Sequence, residues 1–245
     1  SPKFRFQLSQ AHPVWEYCVQ YRETDFNFVS RLMEQEGIYY YFEHTADGHT
    51  MVLVDSVDSH EPCAGSCSSI PFVLQSGSSG LMETEYINHW QLTNSLQPGK
   101  TTIRDYDFKK SKQLLEGTLS NAIVAPDGEM EIYDFPGDFL VNGEGRQYAR
   151  IRLEELQSQH LRVQGGGTAR GIACGHTFEL TDHPRDDQNI KHLVLSTHLQ
   201  CRLSAHEAGG GGDTHVSCSF TAAPASTPFR PQRITPKTFV QGPQT

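Results

Sequence analysis

Apolar positions along this chain follow two different periods. Between Thr24 and Gly37 the spacing is helical: Phe26, Val29 and Met33 share one stripe, Phe28 and Leu32 widen it, and Asn27, Ser30, Arg31, Glu34 and Gln35 fill the other side. Thr24 suits an N-cap, Asp25 brings negative charge to the first turn where unpaired N–H groups point, and Gly37 can take the left-handed conformation that ends a helix. The stripe predicts a buried face. Ile38 to Phe42 is then too aromatic and β-branched for a second helix, and Asp47-Gly48 separates it from Met51-Val52-Leu53-Val54. The pattern predicts a hairpin packed against the apolar side of the helix.

Elsewhere the period is mostly two. Phe4, Phe6 and Leu8 alternate at the start, and Trp15, Tyr17 and Val19 follow in strand-like segments around Pro13. Val57 to Gly80 is rich in Ser, Gly, Pro and Cys, a loop interrupted by one short strand at Ile70 to Leu74. Glu85 to Leu92, with Tyr86, Trp90 and Leu92 on one face, and Thr101 to Phe108 flank the turn residues Pro98-Gly99, which predicts a second hairpin. Lys112 to Leu119 reads as a helical turn or two, Pro126-Asp127-Gly128 as a turn, and Glu129 to Phe135 as a strand stopped by Pro136-Gly137.

A second long helix is predicted from Glu144 to Gln159, capped by Asn142, with Tyr148, Ile151, Leu153 and Leu156 inward and a weak Arg150/Glu154 pair, base before acid. Leu161 to Val163, Thr177 to Leu180, Lys191 to Leu199 and Val216 to Thr221 read as strands separated by Gly165-Gly166-Gly167, His183-Pro184 and Gly209 to Gly212. Pro224, Pro228, Pro231, Pro236 and Pro243 make the tail an extended connector, expected to touch the rest of the molecule little. Many strands with two long helices give a mainly β, α+β fold class.

Composition narrows the partners. The 245 residues carry a net charge of −9, with 20 basic against 29 acidic side chains, and no basic cluster is interleaved with aromatics, so nucleic acid and anionic membrane are poor partners. No apolar run approaches the roughly 20 residues that span a bilayer. The chain opens Ser1-Pro2-Lys3 without an apolar signal core, and an alternating strand so close to the start suggests a fragment entered mid-fold. The six cysteines are irregularly spaced and expected reduced, although Gly65 would permit the tight turn that a Cys63–Cys67 bridge needs.

Candidate chemistry is thin. Gly99-Lys100-Thr101 imitates the end of a phosphate-binding loop, but Asn94 stands where its first glycine belongs; Gly143-Glu144-Gly145 has Tyr148 in place of a third glycine and reads as a helix start. His60, Cys63 and Cys67 could offer three zinc ligands at a spacing that fits no paired knuckle, and Cys174-Gly175-His176 is a weaker set. Asp182, Asp186 and Asp187 lie near His183 in a proline-interrupted loop, and Asp105 and Asp107 alternate on one face of a predicted strand, a common use of charge at a sheet edge. No catalytic, cofactor-binding or metal-binding residue is assigned.

The order Arg22-Glu23-Thr24-Asp25-Phe26-x-Phe28-Val29-x-Arg31-Leu32-x-Glu34-x-Glu36-Gly37-Ile38-x-Tyr40-x-Phe42 closely resembles the signature of VgrG proteins, the spikes of type VI secretion systems, and of related phage tail hubs. The segments Arg104 to Lys110, Ile132 to Gly137, Ala149 to Glu155, Gly175 to Pro184, Pro228 to Lys237 and Gly242 to Thr245 fall in the family's order. The resemblance implies tube-like β-barrel modules, as in a phage tail hub or VgrG base. Residues 1–75 would form the helix-plus-hairpin part, 76–223 a barrel module with one helix, and 224–245 a linker toward an OB-fold neck absent here.

It further implies a non-enzymatic homotrimer seated on the Hcp tube hexamer. Other implied partners are baseplate, effector and spike-tip proteins, with no nucleic acid and no membrane insertion by this segment. The protein would assemble in the bacterial cytoplasm and then be translocated by the secretion system without a signal peptide. Alternatives are the baseplate hub of a contractile phage tail or tailocin and, more remotely, a metal-dependent hydrolase using His60, Cys63 and Cys67.

Overall fold

The computed structural model describes residues 3–74, 85–121, 130–203 and 214–242. The turn expected at Pro126-Gly128, the glycines at 209–212 and the end of the loop at Gly80 lie outside them. Strand β1 (Lys3–Gln7) leads through an irregular segment to helix α1 (Asp25–Glu36). The helix ends are as the sequence predicts. The Thr24 hydroxyl accepts the Asn27 N–H at 3.2 Å, and Gly37, at φ 71°, lets its own N–H reach the Glu34 carbonyl while the Ile38 N–H reaches that of Met33.

The predicted hairpin is β2 (Tyr39–Thr45) with β3 (Gly48–Val54), and β1 adds to it in parallel, in the order β1-β3-β2. Alternation sends Tyr39, Tyr41, Val52 and Val54 into a small core. Phe4, Phe6 and Phe42 fall on the opposite face and are exposed.

Helix α1 departs from its pattern. Phe26 is 65% and Val29 45% exposed, Phe28 and Leu32 are half-buried, and the buried residues are Met33 and the polar Glu34, Gln35 and Glu36. The helix enters the molecule by its C-terminal end instead of lying side-on over the hairpin. Helical spacing marks a face that can be buried, whereas here the carboxylates of the last turn find hydrogen-bond donors inside and draw the end in. The segment from Trp15 to Val19 likewise forms no strand.

Strand β4 (Ser69–Pro71) lies in the expected loop. Beyond it β5 (Ile87–Asn94) and β6 (Lys100–Asp105) flank Pro98-Gly99 but belong to different sheets, so the second hairpin does not form. Where a helical turn was expected stands β7 (Leu115–Ser120), with only a short 3-10 turn at Phe108–Lys110 before it. Leu115 and Gly117 alternate inward, and a Cβ on Gly117 would sit 2.1 Å from the Gly145 carbonyl, so the strand fits closely against the helix that follows.

Parallel to β6 runs β8 (Glu131–Asp134), giving the order β7-β6-β8. Helix α2 (Asn142–Gln157) covers this sheet, burying Tyr148, Ala149 and Ile151 against Ile103, Leu115 and Phe139, while Leu156 is half-buried. Its N-cap is Val141; Asn142 instead turns its Oδ1 to the Glu116 N–H at 3.4 Å.

Strands β9 (Leu161–Gly167), β10 (Thr177–Thr181), β11 (Lys191–Leu203) and β12 (Thr214–Pro224) join β4 and β5 in a six-stranded curled sheet, β4-β10-β11-β12-β9-β5. Its concave core holds Phe178, Phe220, Ile70, Ile87, Val163 and Leu180, with Trp90 packed on it. Gly165-Gly166-Gly167, expected to separate strands, lies within β9: a Cβ on Gly165 would fall 2.2 Å from the Phe220 ring, so the missing side chains make room for the aromatic core. A register shift between Val194 and Ser196 adds a bulge in β11 and local twist.

Candidate assembly surface

The end of α1 enters a polar junction. The Glu36 Oε1 accepts the Trp15 indole N–H at 3.0 Å and the Tyr148 hydroxyl at 2.9 Å, and Oε2 lies 3.2 Å from His12 Nδ1. Just past β3, the fully buried Asp55 carboxylate accepts the backbone N–H groups of Ser9 (2.6 Å) and Gln10 (3.3 Å) and stands 3.2 Å from His12 Nε2. Burial pushes the Asp55 carboxyl up, but these hydrogen bonds outweigh it and hold it below the ordinary carboxylate range. The irregular segment after β1 is thus fastened by side chains instead of by a ladder.

From the other side comes the chain after β12. Arg230 is buried, and its guanidinium donates to the Gly37 carbonyl (3.1 Å), the Asp55 carbonyl (2.5 Å) and the Glu154 carboxylate (2.7 Å). Phe229 packs edge-on against Tyr39, ring centres 4.9 Å apart, and Thr235 donates through its N–H and hydroxyl to the two oxygens of Glu34. Buried Arg152 reaches the Glu34 carbonyl at 2.9 Å and pairs with Glu155, which also accepts the Arg233 N–H; Lys237 pairs with Asp138. Burial pushes the Arg152 guanidinium down to about 9.

The expectation that the tail would touch little of the body is therefore corrected. An extended proline-rich segment has no internal hydrogen bonds, and its donors are satisfied by the carboxylates and helix-end carbonyls of the junction.

Around this junction the surface is apolar. Phe4 (62% exposed), Phe6 and Phe42 line the outer face of the β1-β3-β2 sheet, Phe26 and Val29 stand on α1, and Ile234 and Phe239 on the tail. A groove of about 340 Å³ runs between α1, β2, β11 and the tail, lined by Phe26, Ile38, Tyr40, Leu195, Phe229 and Ile234 among others. Exposed apolar patches are features that interaction sites and ligand grooves share.

The residues with candidate chemistry go elsewhere. His60 is buried and satisfied at both ring nitrogens, 2.7 Å from the Gly175 carbonyl and 2.9 Å from the Tyr39 hydroxyl; burial pushes it below its ordinary value. The Cys67 thiol donates to Glu85 at 2.7 Å, and burial together with that carboxylate raises it to about 12, so it stays protonated. Both it and Cys63 are buried free thiols, and among the described residues no group of three or more His, Cys, Asp or Glu is placed to hold a metal.

Cys174 donates to the Leu195 carbonyl, and Asp187 pairs with Arg185 beside His183. Asp105 and Asp107 share no exposed face: the first accepts the Tyr106 and Phe139 N–H groups, and the buried second caps a turn through the Lys109 N–H. Gly99 and Lys100 bond to the Met130 carbonyl as the start of β6.

Sequence reasoning missed His12, Asp55 and Arg230, the residues that hold the junction. Asp55 had a faint signal, a lone acid directly after the apolar strand Met51 to Val54; His12 lies in a segment without periodicity and left none, and Arg230 fell within the family-like run Pro228 to Lys237 without a role being read from it.

The phage tail baseplate hub (GPD) family model matches residues 1–205. Spike proteins VgrG1a and VgrG1c of the type VI secretion system of Pseudomonas aeruginosa are each 40% identical over 243 residues, 99% of this chain but 37% and 33% of theirs. The chain thus spans about a third of the length of these relatives. Among solved structures, an E. coli component of the type VI secretion system, described as similar to T4 bacteriophage tail proteins gp27 and gp5, superposes with a TM-score of 0.60 at 20% identity, over 98% of this chain and 48% of that one. The 43 kDa tail protein of prophage MuSo2 from Shewanella oneidensis gives 0.58 at 10% identity, over 92% and 62%.

Proposed function

This chain belongs to the phage tail baseplate hub family, and on that premise we propose that it is the base of a type VI secretion spike, a homotrimeric adaptor joining the Hcp tube to the needle and its effectors. The match to VgrG1a, 40% identical over 99% of this chain and 37% of that one, carries this reading. The apolar groove and aromatic faces beside the tail support it, since an assembling subunit needs faces that neighbours cover. The role is structural and non-enzymatic. Residues 1–75, 76–223 and 224–245 serve as helix-plus-hairpin part, barrel module and connector toward a neck. Assembly takes place in the cytoplasm, before export with the spike.

Mass measurement on the protein tests the trimer, and co-sedimentation with Hcp tubes tests the partner. A monomer that ignores the tubes would sink the reading. A trimer that ignores them would move it to a phage-type hub.

A further inference from the structure

His12 sits where neither neighbour can donate to it. The Glu36 carboxylate on one side already accepts two donors, the Trp15 indole and the Tyr148 hydroxyl, and Asp55 on the other accepts two backbone N–H groups. Each ring nitrogen of His12 lies 3.2 Å from one of these carboxylates. Facing two ionised acceptors, a neutral imidazole can donate to only one of them, and its bare nitrogen would stand against the other's lone pairs. The imidazolium donates to both.

We propose that the segment from Ser9 to Val19 is a pH-gated strap, pinned shut across the ends of α1 and β3 while His12 carries both ring protons and loosened when one is lost. The strap forms no ladder; the His12 links and the Ser9 and Gln10 amides on Asp55 fasten its first half, with Arg150 on the Gln10 side chain, Trp15 on Glu36 and Arg31 on the Val19 carbonyl holding the rest. The two carboxylates favour the imidazolium, whereas the two nearby guanidiniums oppose it but spend their donors on other partners. α1 offers Glu36 and β3 leads to Asp55; α2 offers Tyr148, whose hydroxyl burial keeps protonated, and Arg150, which holds Gln10; Arg230 of the tail lies on the Asp55 carbonyl, not on its carboxylate. The hydrogen bond to Glu36 is the chief cause that raises the His12 affinity for its proton, against the cost of burial.

A group whose folded value is raised stabilises the closed form fully below the free value of about 6.5 and ceases to do so as pH rises through the folded value. The strap is also one wall of an open cleft of about 680 Å³, shared with Leu140, Val141, Tyr148 and Val240, and Val14 at its crest is 98% exposed. Release of Trp15 would open that cleft onto Tyr148 and Glu36 in the junction.

The test is carried out on the whole 245-residue chain. Histidine ring resonances, with His12 assigned by His12→Gln, give its midpoint. Hydrogen exchange of the peptide spanning residues 8–20, corrected for intrinsic rates, gives strap opening between pH 6 and 9. The expected result is a His12 midpoint above 6.5 and a rise in corrected exchange above it, about tenfold for each unit by which the midpoint is raised, with no such rise in His12→Gln and none in β11 or β12.

A midpoint at or below 6.5, or the same rise in His12→Gln, overturns the proposal. Should His12→Gln not fold, Glu36→Gln removes one of the two charges and lowers the midpoint. An unchanged midpoint there overturns it equally.

Discussion

The curled sheet and the junction hold together by different physics. In the sheet, Phe178, Phe220 and Trp90 pack edge to face around glycines that leave room for them, and these rings come from β10, β12 and β5, strands that are not adjacent and whose side chains meet because the sheet curls. In the junction, buried carboxylates, guanidiniums and backbone carbonyls meet from five separate stretches of chain, and the packing around them is modest. The sheet tolerates charge poorly and draws stability from area removed from water. At the junction the balance is between desolvation and pairing, and the loss of one partner strands another. Histidine shows the contrast most directly: His192, stacked on Phe178 in the sheet, is pushed by burial down to about 4, whereas His12 in the junction is raised.

The largest expected break is Phe178→Ala, which should cost about 3–5 kcal/mol in denaturant unfolding because it empties the centre of the sheet core. Next, Arg230→Met should cost about 3 kcal/mol, leaving the Gly37 and Asp55 carbonyls and Glu154 without their donor. Unlike the first change, it should expose residues 228–238 to protease before the sheet unfolds. If both substitutions release the tail together, the two regions are one cooperative unit and the contrast fails.

Acidification separates the regions by sign. A histidine held neutral destabilises the fold as pH drops from the free value of 6.5 toward 4, by about 3 kcal/mol in order of magnitude, so His192→Gln should flatten the acid side of the stability profile. Gly165→Ala should then cost about 1–3 kcal/mol through collision with the Phe220 ring. Smallest is Phe26→Ser, within about 0.5 kcal/mol for the isolated chain because the ring is exposed. Its effect should fall on self-association measured by light scattering.

The same division explains what could be read from the residues alone. Both ends of α1, the first hairpin and the later strands were legible because caps, turns and alternation are local. The burial of α1 was not: Phe26 and Val29 keep helical spacing yet face outward, since periodicity does not say what covers a face. Pro98-Gly99 announced a turn correctly but not that β5 and β6 part into different sheets, a choice made by β9 and β7. Nor could the run Gly165 to Gly167 reveal that its role depends on Phe220. Arg230 looked like one more charge in a linker, because nothing near it in sequence is its partner.

That separation has a consequence in time. Arg230 meets the Gly37 and Asp55 carbonyls across 193 and 175 residues, and Thr235 meets Glu34 across 201. At the ribosome's pace of about 5–20 residues per second, the hairpin and α1 are made roughly 10–40 seconds before the donor that completes them. Through that interval the nascent amino-terminal part holds carbonyls and carboxylates awaiting their donors, and Tyr39 has no Phe229 on its ring. The junction is closed by residues translated long after the hairpin, so a ribosome that stalls before Arg230 leaves a hairpin that can form and a joint that cannot.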